Sequence, residues 1–318
     1  MITEPSHPKG QTIETWVGSV IPGIIATRSM KINPWIRHPR AAATITKTDS
    51  DYQFLMRDGN VRRPRLEEVA LLGSFPSEHK WVGNQGWMRI GNSVPPLLMR
   101  AIGRHIRQLP PEPLTMKTYK ETLDAAWAEH LAPRAADAPT VISTFAGGGG
   151  SSLGYSMAGF REVLAVEWDD NAVQTLRLNF PHVPIYHGDI GKLSVDEALR
   201  ISGLVPGELD VFDGSPPCQG FSTAGKREFG DKRNQLFKEY VRLLRGLRPK
   251  VFVMENVSGM VKGDMKLMFA EILKELKASG YAVKARLLNA MYFGVPQSRE
   301  RMIFIGVRND RLPPGYVP

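Results

Sequence analysis

A free cysteine does chemistry only where something fixes its direction and favours its thiolate. The single cysteine of this 318-residue chain, Cys218, lies in Gly214-Ser-Pro-Pro-Cys218-Gln-Gly-Phe-Ser, directly after the apolar run Leu209-Asp-Val-Phe-Asp. A lone cysteine is most often a small buried hydrophobe. A two-proline turn beyond a strand end is different, because active sites of open α/β sheets gather there and the prolines hold the thiol in one direction. Met254-Glu255-Asn256-Val-Ser-Gly places a carboxylate at the end of a second such run. Gln297-Ser-Arg299-Glu-Arg301 places two guanidiniums two residues apart, on one side of an extended chain. Thiol, carboxyl and guanidinium around one pocket suit covalent catalysis on an electron-poor ring, with hydrogen bonds to the ring's edge. Taken singly, each has an ordinary explanation: a buried hydrophobe, a helix-cap partner, a solvated face.

A second group of residues suits a nucleotide-like ligand. Phe145-Ala-Gly-Gly-Gly-Gly-Ser-Ser follows an apolar run and opens a helical pattern, a turn without β-carbons that lets a ligand approach the backbone. Glu167 stands 20 residues after Gly147, at the end of the next run, where an acidic side chain bonds ribose hydroxyls. Asp189, in His187-Gly-Asp-Ile, ends a third short run and is placed to address the ligand's base. A glycine turn alone would equally fit a nicotinamide dehydrogenase, but that reading leaves Cys218 and Glu255 without a task.

The elements that must position these residues alternate in type. Strands are expected at 141–146, 162–167, 209–213, 250–255, 283–288 and 302–307, with helices near 151–158, 170–179, 233–246 and 265–279. Such alternation predicts a three-layer α/β domain around a mostly parallel sheet. Upstream, residues 94–109 form an amphipathic helix that Ser93 can cap, with Pro95 and Pro96 in its first turn. Pro/Ala-rich segments flank a further helix near 117–131 and mark residues 110–139 as a linker. Residues 1–60 are less regular.

Composition narrows the class. No window approaches the ~18 apolar residues of a membrane span, and the N-terminus lacks a signal-peptide layout. One cysteine excludes an intramolecular disulfide framework and a Cys-rich metal site, which predicts a reducing, cytoplasmic setting, no membrane and no metal. The net charge is +9, and it is uneven: residues 1–110 carry 15 basic and 8 acidic side chains, residues 111–318 carry 26 and 24. A basic segment beside a near-neutral body suits a polyanion-binding face on a catalytic core.

Together these motifs resemble one family. Phe-Ala-Gly-Gly-Gly-Gly, Glu-Trp, Gly-Asp-Ile, Pro-Pro-Cys-Gln-Gly-Phe-Ser, Glu-Asn-Val and Gln-Ser-Arg-Glu-Arg occur in the order and rough spacing of the DNA (cytosine-5)-methyltransferases. Arg62-Arg-Pro-Arg-Leu-Glu-Glu-Val-Ala-Leu-Leu-Gly-Ser-Phe-Pro76 resembles their penultimate block, and Ile90-Gly-Asn-Ser-Val-Pro-Pro96 their last. The resemblance implies a Rossmann-like methyltransferase fold with a mixed, mostly parallel seven-stranded sheet, helices on both faces and a small N-terminal region. It implies S-adenosylmethionine as cofactor, with S-adenosylhomocysteine as product. Phe145 would stack near the adenine, Gly147, Gly148 and Gly149 would face the methionine part, and Glu167 would hold the ribose. Trp168 and Ile190 would sandwich the adenine and Asp189 would bond its amino group. Pro217 would border the donor, and Asn92, Ser93 and Val94 would close the pocket. Cys218 would attack C6 of a cytosine flipped from double-stranded DNA, with Glu255 on N3 and the exocyclic amine, Arg301 on O2 and Arg299 bracing the site. Residues 219–237 would close over DNA, with Gln219, Ser222, Lys226, Arg227 and Arg233 as contacts. An RNA cytosine-5 methyltransferase and a non-catalytic subunit of a methylase complex are the alternatives.

The chain departs from the family pattern in its order. The two blocks that normally end the chain come first, which looks like a circular permutation. Its cost is small if the 94–109 helix packs beside the first strand and the linker spans the gap. Residues 61–109 would then complete a catalytic core at 140–318. The target-recognition region would reduce to residues 1–60, with Trp16, Arg28, Trp35, Arg37, His38 and Arg40, and with Ala43-Thr-Ile-Thr resembling the threonine segment that ends it. Either that region is a minimal module or a second polypeptide supplies recognition.

Overall fold

The computed structural model describes residues 24–29, 32–37, 52–110, 119–217, 232–261 and 265–314, with single positions at 21, 42, 44 and 45. Four short strands come first: β1 (Ile24–Ser29), β2 (Ile32–Arg37), β3 (Gln53–Met56) and β4 (Val61–Arg62). They form an antiparallel sheet of order β2-β1-β3-β4, so the N-terminal sheet runs past residue 60 into the next block. Helices α1 (Leu66–Leu72), α2 (Gly86–Asn92), α3 (Pro96–Ile106) and α4 (Tyr119–His130) follow.

The remaining elements alternate as the sequence predicts. They are β5 (Thr140–Thr144), α5 (Gly150–Met157), β6 (Arg161–Glu167), α6 (Asp170–Asn179), β7 (Ile185–His187) and α7 (Val195–Ser202). Then come β8 (Val211–Gly214), α8 (Lys232–Leu247), β9 (Val251–Val257), α9 (Met265–Ala278), β10 (Tyr281–Asn289) and β11 (Glu300–Arg308). Seven strands join in the order β10-β11-β9-β8-β5-β6-β7. Strands β9, β8, β5, β6 and β7 run parallel, and β11 pairs antiparallel with both β9 and β10. The parallel strands therefore end along one edge, and the residues just past those ends meet there. Central strand β5 is buried at all five positions, as expected of a parallel strand covered on both faces.

The amphipathic helix starts later than predicted. Pro95 is its N-cap and Pro96 its first residue, while Ser93 is the C-cap of α2, its hydroxyl donating to the Arg89 carbonyl at 2.6 Å. The prolines win because their fixed φ suits a first turn. Helix α3 packs on α5, the helix that follows β5, and its Leu97, Leu98, Met99 and Ile102 share a buried cluster with Val141 of β5. A Cβ at Gly154 of α5 would come within 2.5 Å of both the Met99 Cβ and the Pro96 carbonyl oxygen, so glycine is what lets the two helices approach.

Helix α4 is more than a spacer. Tyr119, Leu123, Trp127 and His130 are buried, and the Tyr119 hydroxyl donates to the Leu71 carbonyl at 2.6 Å. His130 bonds the Ser156 hydroxyl at 2.8 Å and the Asn179 carbonyl at 2.7 Å. One helix thus fastens α1, α5 and α6 together.

Candidate active site

The turn after β5 is shaped by its backbone. Phe145 has φ +56°, an uncommon left-handed conformation for a residue with a side chain, and Gly147 and Gly149 have φ +55° and +85°. A side chain at Gly149 would also strike the Phe180 ring, 2.3 Å from an ideal Cβ. Helix α5 begins at the next residue, so its N-terminal end faces the same side as the turn.

Glu167 ends β6 and turns back to this loop. Its Oε2 accepts the Gly147 N–H at 2.7 Å, and Oε1 accepts the N–H groups of Trp168 at 2.8 Å and Asp169 at 3.0 Å. Oε2 keeps a lone pair for one more donor. Beside it Trp168 is 76% exposed, an unusual state for an indole. Strand β7 stops at His187, short of Asp189, which instead caps a single turn of 3-10 helix by accepting the Gly191 N–H at 2.9 Å. Asp189 is exposed and Ile190 buried. Val94 presents its carbonyl, and Ser93 its Cβ, to Gly150, and Asn92 is exposed next to them. A glycine turn, a carboxylate with a spare lone pair and an exposed ring fit a nucleoside-bearing cofactor.

On the far side of β8, Glu255 of β9 and Arg301 of β11 lie in antiparallel register, with Arg301 opposite Val257 and Glu255 opposite Ile303. Arg301 Nε is 2.6 Å from Glu255 Oε1, and only 12% and 8% of the two side chains is exposed. Burial lowers the Arg301 pKa and the Glu255 carboxylate opposes that shift. Asn256, the next residue, donates through Nδ2 to the Pro216 carbonyl at 3.1 Å. That bond ties the end of β9 to the Pro-Pro turn, two residues before Cys218. Pro217 is exposed and is the last described residue there. Cys218, Gln219, Ser222, Lys226 and Arg227 lie outside the described residues, as do Trp16, His38, Arg40, and the side chains of Arg28, Trp35, Arg37 and Arg233.

Arg299 is 1% exposed, and its partners among the described residues are main-chain carbonyls. Nη1 donates to the Ile45 carbonyl at 2.9 Å, and Nη2 to the carbonyls of Gly91 at 2.7 Å and Ser93 at 2.9 Å. Burial pulls its pKa well below the usual arginine value, and the nearby Arg301 charge adds to that. This is the geometry of a brace. Gln297, also 1% exposed, accepts the Ile45 N–H at 3.3 Å, and Ala42 bonds both the Pro296 carbonyl and the Ser298 N–H. Residues 42 and 45 therefore dock on 296–298.

Several of these contacts escape a reading of the sequence. Asp213 on β8 is 2% exposed; it accepts the Tyr155 hydroxyl at 3.2 Å. Burial pushes its carboxyl up to about 8, with the Glu162 and Glu255 charges adding to the rise. It carried no motif signal beyond standing next to Gly214. Among the described residues there is no cluster of side chains able to hold a metal, and no helix long and apolar enough to cross a membrane.

The fold and this edge of the sheet define an α/β domain of the nucleotide-cofactor type, with a buried acid–guanidinium pair on the same sheet as the glycine turn. More narrowly, a family model for C-5 cytosine-specific DNA methylase matches residues 139–314, and the chain belongs to that family. It is 46% identical over 170 residues to the Type II methyltransferase M1.HphI of Haemophilus parahaemolyticus, covering 52% of this chain and 45% of that protein. It is 43% identical over 177 residues to M.AquIA of Picosynechococcus sp., covering 53% and 71%. With M.PspPI of Psychrobacter sp. it shares 34% over 229 residues, covering 70% and 52%. The chain spans about half the length of most of the curated relatives it matches.

Proposed function

We propose that this chain transfers a methyl group from S-adenosylmethionine to C5 of a cytosine turned out of double-stranded DNA, as a bacterial or phage modification methylase. The observation that carries this reading is the buried Glu255–Arg301 pair, joined through Asn256 to the turn that leads into Cys218. A thiolate cannot reach a base inside the stack, so the base must leave the helix.

The Cys218 thiolate adds to C6 of the ring, and the electron pair of the C5–C6 double bond moves toward C5 and N3. Glu255 supplies or shares the proton at N3 and accepts from the exocyclic amine, while Arg301 donates to O2. The cofactor, when bound, supplies an electrophilic methyl group to C5. A base then takes the C5 proton, the double bond re-forms and the sulfur leaves C6. Arg299 holds the backbone around this pocket. Glu167 would take the ribose hydroxyls, Trp168 and Ile190 the adenine faces, Asp189 the adenine amine, and Asn92 to Val94 the far wall. Gln219, Ser222, Lys226, Arg227 and Arg233 would meet DNA.

The N-terminal blocks complete the catalytic domain in permuted order, a reading supported by the packing of α3 on α5 and of Ser93 and Val94 on Gly150. The sheet of β1 to β4 is small for a reader of a specific site, which favours a second polypeptide for recognition. The decisive test is a duplex carrying 5-fluorocytosine, incubated with cofactor, with and without candidate partner chains. C5 then has no proton to lose, so a covalent DNA–protein adduct should accumulate on Cys218 and be lost in Cys218→Ser. Absence of the adduct with every partner, or its survival in the serine variant, ends the mechanism. Equal labelling of transfer RNA would move the substrate to RNA.

A further inference from the structure

Arg89 sits in the middle of α2, 5% exposed. Its Nη1 donates to the Val82 carbonyl and its Nη2 to Asp169 Oδ1, both at 3.0 Å. The two partners lie on opposite sides of a chain junction: Val82 belongs to the N-terminal blocks, Asp169 to the loop after β6. Asp169 has two further duties. It is the N-cap of α6, accepting the Ala172 N–H at 2.8 Å, and its own N–H donates to Glu167 Oε1. One carboxyl thus starts a helix, holds a cation and neighbours the acid that closes the glycine turn.

The surroundings keep this contact in place. Lys80 N–H donates to Asn179 Oδ1 at 2.9 Å, Asn179 Nδ2 returns a bond to the Lys80 carbonyl at 2.7 Å, and Val82 N–H donates to Thr175 Oγ1 at 3.1 Å. Residues 80–82 therefore run along α6. Trp81 covers the back of the turn, its ring 2.7 Å from an ideal Cβ at Gly148, and the Arg89 Cβ lies 3.6 Å from the same point. The Arg89 side chain is 4% exposed against 41% for Asp169, so the cation has left water and the carboxylate only partly. A buried guanidinium stripped of its carboxylate is costly, which makes the loop's position tight.

We infer that Arg89, acting through Asp169, is a positioning residue for the cofactor: it fixes the Glu167–Asp169 loop so that Glu167 and Trp168 face the ligand. The inference rests on the cofactor reading proposed above and adds that the N-terminal blocks set cofactor affinity without touching the cofactor through this side chain. Binding of the cofactor and docking of residues 79–92 are then coupled.

The test compares Arg89→Lys, Arg89→Met, Asp169→Asn and the Arg89→Met/Asp169→Asn double variant. Asparagine still caps a helix, so Asp169→Asn removes the charge while keeping the start of α6. Equilibrium titration with S-adenosylhomocysteine should show Kd raised about tenfold in Arg89→Met and Asp169→Asn. Initial rates on duplex DNA should show the cofactor KM rising in step, with kcat at saturating cofactor within about twofold. The double variant should bind no worse than the weaker single one, because both remove the same contact. Arg89→Lys should recover part of the affinity. Unchanged Kd in both single variants, or a fall in kcat with KM unchanged, overturns the inference. Should Arg89→Met fail to fold, Asp169→Asn and Arg89→Lys decide alone. If the native chain itself does not bind S-adenosylhomocysteine, the cofactor reading has failed, an outcome distinct from native binding with indifferent variants.

Discussion

The two ends of the site hold their carboxylates in opposite ways. At the β6 end, Glu167 is met by three backbone N–H groups, all fixed in place by the fold and none carrying a full charge. At the β9 end, Glu255 is met by the Arg301 guanidinium, and both side chains are largely shielded from water. Backbone dipoles hold a carboxylate in position yet leave it able to accept another donor. An ion pair satisfies charge more completely, and a ligand that uses both partners must reorganise it. The first arrangement suits a site that binds and releases a common cofactor; the second suits one where charge must shift during a reaction.

The ion pair should give the largest effect. Arg301→Met should leave Glu255 buried without its cation and lower the unfolding free energy by about 3–5 kcal/mol. The double change Arg301→Met with Glu255→Gln should cost much less. Denaturant titration of the single and double variants measures the coupling, and a double variant as unstable as Arg301→Met would mean that the pair is not what holds the two strands' ends.

Asp213 sharpens the contrast because it is a third solution, a carboxyl kept neutral. Its folded pKa of about 8 lies above the unfolded value of about 3.8. Between these values the unfolded chain has released the proton and the folded one retains it, so stability falls as pH rises through roughly 4 to 8 and levels off above. Asp213→Asn should remove this penalty, worth on the order of a few kcal/mol at pH 8. Melting temperatures followed from pH 5 to 9 should therefore decline less steeply in the variant. Parallel declines would show that Asp213 is ionised throughout.

The smallest effect belongs to the backbone-held acid. Glu167→Ala should weaken cofactor binding by about 1–3 kcal/mol, since it loses hydrogen bonds rather than a buried charge partner. Titration with S-adenosylhomocysteine reads this directly, and an unaltered affinity would remove Glu167 from the cofactor site.

Much of the frame follows from the sequence alone. The strands of the large sheet are rich in β-branched residues and fall within a few residues of their expected spans, because burial on both faces demands continuous apolar runs. The sequence marks helix α7 only by a cap signature, Ser194 with Glu197, and the Ser194 hydroxyl accepts the Glu197 N–H at 3.0 Å. The N-terminal sheet was not legible, since Ile-Ile-Ala-Thr-Arg-Ser and Ile-Asn-Pro-Trp-Ile-Arg lack clean alternation. Pairs far apart in sequence also escaped. Nothing local marks Arg89 as a partner for Asp169, 80 positions away, or sends the Arg299 guanidinium to the carbonyls of residues 45, 91 and 93.

That last contact sets a timetable for synthesis. A ribosome makes the carbonyls of Ile45, Gly91 and Ser93 more than two hundred residues before the side chain that will satisfy them. Until residue 299 leaves the exit tunnel, those three carbonyls lack this donor, and water must satisfy them instead. One late side chain is thus what ties together carbonyls made far earlier.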